Sequence, residues 1–149
     1  MLNRIVIVRH GEALDASSDE KRPLSSYGVD QIKHQAQQTK KCGIKVERIW
    51  HSHKKRAEQT AEIFAREFDL TDICMAKEGL SPNDEAEPIL DLALEEKGEL
   101  MLVSHLPLVG IIASLLIGDV SNLAFHTGTV CDIVKSNGIW EISNVLHRE

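Results

Sequence analysis

The run Ile5-Val6-Ile7-Val8 constrains this chain more than any other stretch, because four consecutive β-branched residues leave no polar face to turn towards water. Such a run reads as a strand buried on both sides, as in a parallel sheet covered by helices. Residues 46–50 and the run Leu100-Met101-Leu102-Val103 carry the same message. All three segments break off into polar residues: Val8 into Arg9-His10, Trp50 into His51-Ser52, and Val103 into Ser104-His105. Ligands of open α/β sheets bind beyond the carboxyl ends of the strands, so these endings mark one sheet edge as the place for chemistry.

Helical periodicity fills the intervals. After a turn-rich stretch at 15–22, Pro23-Leu24-Ser25-Ser26-Tyr27-Gly28 offers either serine as cap to a helix carrying Val29, Ile32 and Ala36, which ends near Cys42-Gly43. A second helix sets Ala57, Ala61, Phe64 and Phe68 on one face and Arg56 in its first turn. A short strand at 73–76, a loop at 79–87 and an acidic helix with Ile89, Leu90, Leu92 and Leu94 follow. The helix that starts near Pro107 and closes at Gly118 is apolar nearly all round and is expected to be buried. Two last strands, 130–134 and 140–145, flank Ser136-Asn137-Gly138, a hairpin turn. This alternation predicts one domain over 149 residues, a three-layer α/β/α sandwich whose mostly parallel central sheet has one antiparallel strand at its end.

Composition narrows the function. A net charge of −6 argues against general attraction to nucleic acid or an anionic membrane, so any phosphate site must be local. The longest apolar stretch, 106–117, is too short to span a bilayer, and the apolar run in the first eight residues is too short for a secretory signal. Cys42, Cys74 and Cys131 form no CxxC pair, which indicates neither a disulfide framework nor a zinc site and fits a reducing cytoplasm.

A single histidine after a strand is usually a solvated loop residue. Here Arg9, His10, Arg56 and His105 arrive together at strand ends and one helix start, which makes a pocket with four phosphate-facing groups and no carboxylate built into the motifs. Val8-Arg9-His10-Gly11-Glu12, Arg22-Pro23-Leu24-Ser25-Ser26-Tyr27-Gly28, Ser52-His53-Lys54-Lys55-Arg56-Ala57-Glu58-Gln59-Thr60-Ala61 and Val103-Ser104-His105-Leu106-Pro107-Leu108-Val109-Gly110 follow one another in the order and spacing of a known family. They resemble the histidine phosphatase superfamily, which includes the cofactor-dependent phosphoglycerate mutases. The third and fourth blocks look most like its small bacterial phosphohistidine phosphatases.

The resemblance implies a phosphoglycerate mutase-like fold, with His10 as nucleophile and phosphohistidine intermediate. A neutral imidazole is a competent nucleophile near pH 7, and Arg9 and Arg56 supply permanently charged forks for the phosphoryl oxygens. His105 matches the family's second histidine and would bond an equatorial oxygen. Four such groups leave no need for a metal or other cofactor. Ser52 matches a serine that buttresses the phosphate site, although His53 replaces the proline that usually follows. Arg22 matches an arginine near the pocket rim, and an arginine between loop and helix is as commonly a surface residue. Lys54 and Lys55 read as a solvated helix start, and His51-Ser52-His53 lacks the carboxylate or cysteine partners of a metal site.

Many members of the family protonate an alkoxide leaving group with a carboxylate after the third strand. Glu78, Asp84, Glu85 and Glu87 stand there, none in a matching motif. An alcohol leaves badly without that proton, whereas imidazole leaves easily once protonated near its pKa of about 6.5. The expected substrate is therefore a phosphohistidine-bearing protein, a phosphotransfer domain or carrier, with inorganic phosphate or sulfate as a pocket ligand. A small-molecule phosphomonoesterase or mutase is the alternative. Only about two dozen residues separate the third and fourth strands, so the cleft is expected to be open to a protein-borne side chain.

Overall fold

The computed structural model describes residues 1–148. Six strands and four helices alternate: β1 (Leu2–Arg9), α1 (Ser26–Lys41), β2 (Arg48–His51), α2 (Lys55–Phe68), β3 (Cys74–Ala76), α3 (Ala86–Leu94), β4 (Gly98–Ser104), α4 (Leu108–Ile117), β5 (Val130–Ser136) and β6 (Ile139–Leu146). The strands form one sheet in the order β3-β2-β4-β1-β5-β6. β1, β2, β3 and β4 pair in parallel, and β5 runs antiparallel to both β1 and β6. The sheet therefore has one reversed strand, but it is the penultimate one. The tight hairpin returns β6 to the common direction, with Asn137 and Gly138 both at positive φ as a two-residue turn of this kind requires.

Alternation along each strand splits the core into two layers. Ile5 and Ile7 pack with Leu100 and Leu102 beneath α3 and α4, while Val6 and Val8 pack with Met101 and Val103 beneath α1 and α2. This is the α/β/α sandwich, and it explains the unbroken β-branched run of β1: both its faces are covered. Ser25 is the cap of α1, its side chain accepting from Gly28 N at 2.9 Å.

One expectation fails. α4 buries Leu108, Val109, Ile112 and Ala113, yet Ile111 and Leu115 are 44% and 46% exposed. A helix lying on one side of a sheet can bury only the stripe that faces it, whatever the chemistry of its outer face. Leu92 and Leu94 of α3 are likewise exposed.

The loop from β1 is fixed by a close backbone approach. Ser25 N donates to Glu12 O at 2.9 Å, and a Cβ on Gly28 would collide with that same carbonyl oxygen. Gly28→Ala is expected to destabilise the fold by about 1–3 kcal/mol, read as a lower urea midpoint at unchanged m-value. An unshifted midpoint would show that the loop yields freely.

Candidate active site

The carboxyl ends of β1, β2 and β4 meet at a cavity of about 470 Å³ lined by Arg9, His10, Arg56 and His105, with Asp19, Arg22, Asn83 and Thr127 among its other walls. His10 is held at its floor: its amide donates to Ser104 O at 3.0 Å, and Gly128 N donates to its carbonyl at 2.9 Å. Nδ1 lies 2.7 Å from Gly11 O, and a carbonyl can only accept, so Nδ1 carries the proton and Nε2 presents a lone pair. Burial is the main reason that its pKa falls to about 4, aided by the charges of Arg56, Arg9 and Arg22 and opposed by the Gly11 hydrogen bond. The ring is therefore neutral at physiological pH.

Arg56 reaches in from the first turn of α2, its side chain almost fully buried. Its Nε faces His10 Nε2 at 3.3 Å, Nη1 donates to Asp19 O at 2.8 Å, and Nη2 lies 3.3 Å from Asp19 Oδ2. Thr60, one turn further along α2, accepts from Gly11 N at 3.1 Å and so ties the helix carrying Arg56 to the loop carrying His10. Arg9 Nη1 donates to Phe125 O at 2.9 Å, while its Nε is buried with no partner among the described residues. Burial and the neighbouring Arg56 lower the Arg9 pKa from its usual value.

His105 lies against His10, ring centroids 5.0 Å apart. Burial, followed by the charges of His10 and Arg56, lowers its pKa to about 3. Its Nε2 is 2.8 Å from Ser52 Oγ, and Ser52 Oγ also accepts from Lys54 N at 3.1 Å. In the tautomer that also gives the buried serine proton a partner, Ser52 Oγ donates to His105 Nε2 and Nδ1 carries the ring proton; Nδ1 is buried and unpaired among the described residues. A buried donor left without a partner beside His10 suits an oxyanion.

The remaining expected residues divide. Arg22 lines the cavity, with Nε donating to Leu14 O at 3.0 Å and Nη1 lying 3.4 Å from Asp19 Oδ1. Ser52, matched to a buttressing serine and a candidate for the pocket rim, is fully buried against His105 and does not line the cavity. His53 points outward to Glu78, Nε2 to Oε1 3.1 Å, so the residue in the usual proline position does not enter the pocket. None of Glu78, Asp84, Glu85 and Glu87 lines the cavity; their segment contributes Pro82 and Asn83 instead, and Asp84 is turned to Ser81 N at 2.9 Å. Among the described residues no group of three or more His, Cys, Asp or Glu side chains is placed to hold a metal ion.

Sequence reading missed the residues that assemble the site from behind. Gln31 accepts from Glu12 N at 2.9 Å and donates to Thr127 O at 3.1 Å, and Gln35 donates to Gly128 O at 2.8 Å, so two buried glutamines of α1 clip both pocket loops. Their spacing of four beside Ile32 and Ala36 was the available signal. Lys54, read as solvated, pairs with Asp19 at 2.8 Å. That hydrogen bond first, and then Arg56, hold the Asp19 carboxyl well below the usual carboxylate range. A slightly roomier groove of about 500 Å³ between α2 and β3 is lined by the mixed charges of Glu58, Glu62 and Arg66.

This architecture recurs in known proteins. Residues 5–78 match the model of the histidine phosphatase superfamily, branch 1. Phosphohistidine phosphatase SixA of Escherichia coli K12 is 31% identical over 94% of this chain and 93% of that protein, and the SixA homolog of Haemophilus influenzae is 33% identical over 93% and 92%. The solved structure of the protein histidine phosphatase SixA complexed with tungstate superposes with a TM-score of 0.84 at 28% identity, covering 96% of each chain. The chain belongs to the histidine phosphatase superfamily.

Because burial holds the His10 pKa near 4, its neutral form persists above that pH and is lost only as pH falls through it. In an NMR titration from pH 8 to pH 5 the His10 ring nitrogens are expected to stay in the neutral Nδ1–H form; a midpoint near the ordinary value of about 6.5 would mean a solvated ring.

Proposed function

We infer that this chain is a phosphohistidine phosphatase that carries the phosphoryl group transiently on His10. The observation that carries the reading is the convergence of Arg9, His10, Arg56 and His105 on one cavity whose wall offers Pro82 and Asn83 where an ester hydrolase needs a proton donor. In the first step the Nε2 lone pair of His10 attacks phosphorus as the P–N bond of the substrate breaks. The departing imidazole takes a proton from solvent, which its own pKa of about 6.5 makes available near neutral pH. Arg9, Arg56 and the Nδ1–H of His105 neutralise the three equatorial oxygens. In the second step water attacks from the side the imidazole left, its proton goes to the phosphate, and His10 returns to the neutral Nδ1–H form.

Of the two carboxylates that line the cavity, Asp19 is held ionised by Lys54 and Arg56 and so is unsuited to acid catalysis, and Glu12 is turned to Ser25, its Oε1 accepting from Oγ at 2.9 Å. An alkoxide leaving group therefore lacks a donor, which disfavours the small-molecule phosphomonoesterase or mutase reading. The substrate is a phosphohistidine-bearing protein, a phosphotransfer domain or carrier, and Leu14 and Leu106 stand exposed beside the mouth to meet it. The tungstate of the SixA complex is a phosphate-like oxyanion, which supports inorganic phosphate or sulfate as ligands here. The free thiols of Cys42, Cys74 and Cys131 fit a reducing cytoplasm. Among the described residues no helix is long and apolar enough to cross a membrane.

Incubation with a ³²P-phosphohistidine protein tests the reading. The wild type is expected to release phosphate, and His10→Ala to lose at least about a thousandfold in rate; fast hydrolysis of sugar or glycerate phosphates with none of the phosphohistidine protein would overturn it. Single replacements of Glu78, Asp84, Glu85 and Glu87 by Ala are expected to leave turnover within about twofold, since no proton is drawn from them. A large loss at any one would restore the ester reading.

A further inference from the structure

The mouth of the cavity already holds an anion of the protein's own. Asp19 lies in the single 3-10 turn Asp19–Lys21 between β1 and α1. Its Oδ2 is 2.8 Å from Lys54 Nζ and 3.3 Å from Arg56 Nη2, its Oδ1 is 3.4 Å from Arg22 Nη1, and its carbonyl oxygen accepts from Arg56 Nη1 at 2.8 Å. Three cations from two separate segments thus converge on one carboxylate. With Nε directed at His10, all three nitrogens of the Arg56 guanidinium are engaged before any substrate arrives.

Exposure shows which partner can yield. The Arg56 side chain is 5% exposed and packed into the fold, whereas that of Asp19 is 53% exposed. The carboxylate can swing into water with little loss of packing, while the guanidinium must stay. A phosphoryl dianion entering beside His10 needs Arg56 and meets Asp19 as a like charge on the same donors. One of the two anions must give way.

We propose that Asp19 is the resident counter-ion of this site: it occupies the cationic mouth at rest, yields to the phosphoryl group, and returns to help release inorganic phosphate. The proposal rests on the reading of the cavity as a phosphoryl site. Its value to turnover follows from competition. A buried Arg56 and a half-buried Arg9, flanked by Lys54 and Arg22, would by themselves grip free phosphate as firmly as substrate, and uniform tight binding of this kind slows release without speeding chemistry. A built-in carboxylate weakens the hold on every free oxyanion, and it preserves the orientation of Arg56 between turnovers. Asp19 is a positioning residue in this scheme; it neither donates nor accepts the transferred proton.

The test is calorimetric titration of inorganic phosphate and of tungstate into the wild type, Asp19→Asn, Asp19→Ala and Asp19→Glu. Removing the charge in the Asn and Ala variants is expected to tighten both anions by about five- to tenfold, the cumulative effect of several exposed pairs, while the Glu variant stays within about twofold of wild type. On phosphohistidine protein the Asn variant is expected to show a lower KM, a lower kcat and stronger inhibition by added phosphate. Equal or weaker anion binding in both charge-removing variants would overturn the proposal, since Asp19 would then only support the loop. Failure of the wild type to bind either anion would overturn it together with the reading of the cavity. Tightened anion binding in an enzyme that leaves phosphohistidine intact would sustain the counter-ion and sink the substrate assignment alone.

Discussion

A hydrogen bond of 2.7 Å between the His10 ring and the carbonyl of the next residue sets what this protein can do. It decides which ring nitrogen keeps its proton and therefore which one has electrons to offer. Gly11 itself packs close against α1, where a Cβ would come within 2.7 Å of Ile32 Cγ1. Gly11 is in turn anchored by its amide on Thr60, the residue one helical turn beyond Arg56. His10 and Arg56 are thus registered against each other through a single side chain, and a small displacement of α2 would move both. The sheet supplies the rest: β1 and β4 are adjacent and parallel, with Arg9 opposite Ser104, so His10 and His105 emerge side by side from neighbouring strands.

The charge distribution follows from the same crowding. An acidic chain of net charge −6 collects Arg9, Arg22, Arg56 and Lys54 at one sheet edge, and keeps both imidazoles there neutral by burial and by the field of those cations. In the proposed reaction these neutral rings have different tasks, His10 as nucleophile and His105 as donor to an oxyanion. Asp19 balances the local excess from the solvent side, so the cations do not stand as a bare cluster of like charges.

Much of this was legible in the chain. Runs such as Ile5-Val6-Ile7-Val8 read as strands because no alternative buries two faces of β-branched residues, and their polar endings located the edge where Arg9, His10 and His105 meet. The hairpin was legible from Asn137-Gly138, since few residues tolerate positive φ in succession. What escaped depends on distance in space. Asp19 sits in a polar stretch with no pattern of its own, and only the folded loop brings it to Lys54 and Arg56. Gln31 and Gln35 read as ordinary polar positions of a helix, because nothing local says that two loops will lie against them. The outer face of α4 was misread for the converse reason: apolar residues permit burial but do not supply a neighbour, and the sheet can cover only one side of a helix.

Position of the phosphorus on the His10 ring tests the account most directly. Wild-type protein mixed with phosphohistidine substrate, quenched within milliseconds at alkaline pH and examined by ³¹P–¹⁵N correlated NMR, is expected to show phosphorus bonded to Nε2 of His10, because Nδ1 is committed to the Gly11 carbonyl. Phosphorus on Nδ1, on another residue, or on none during active turnover would contradict it.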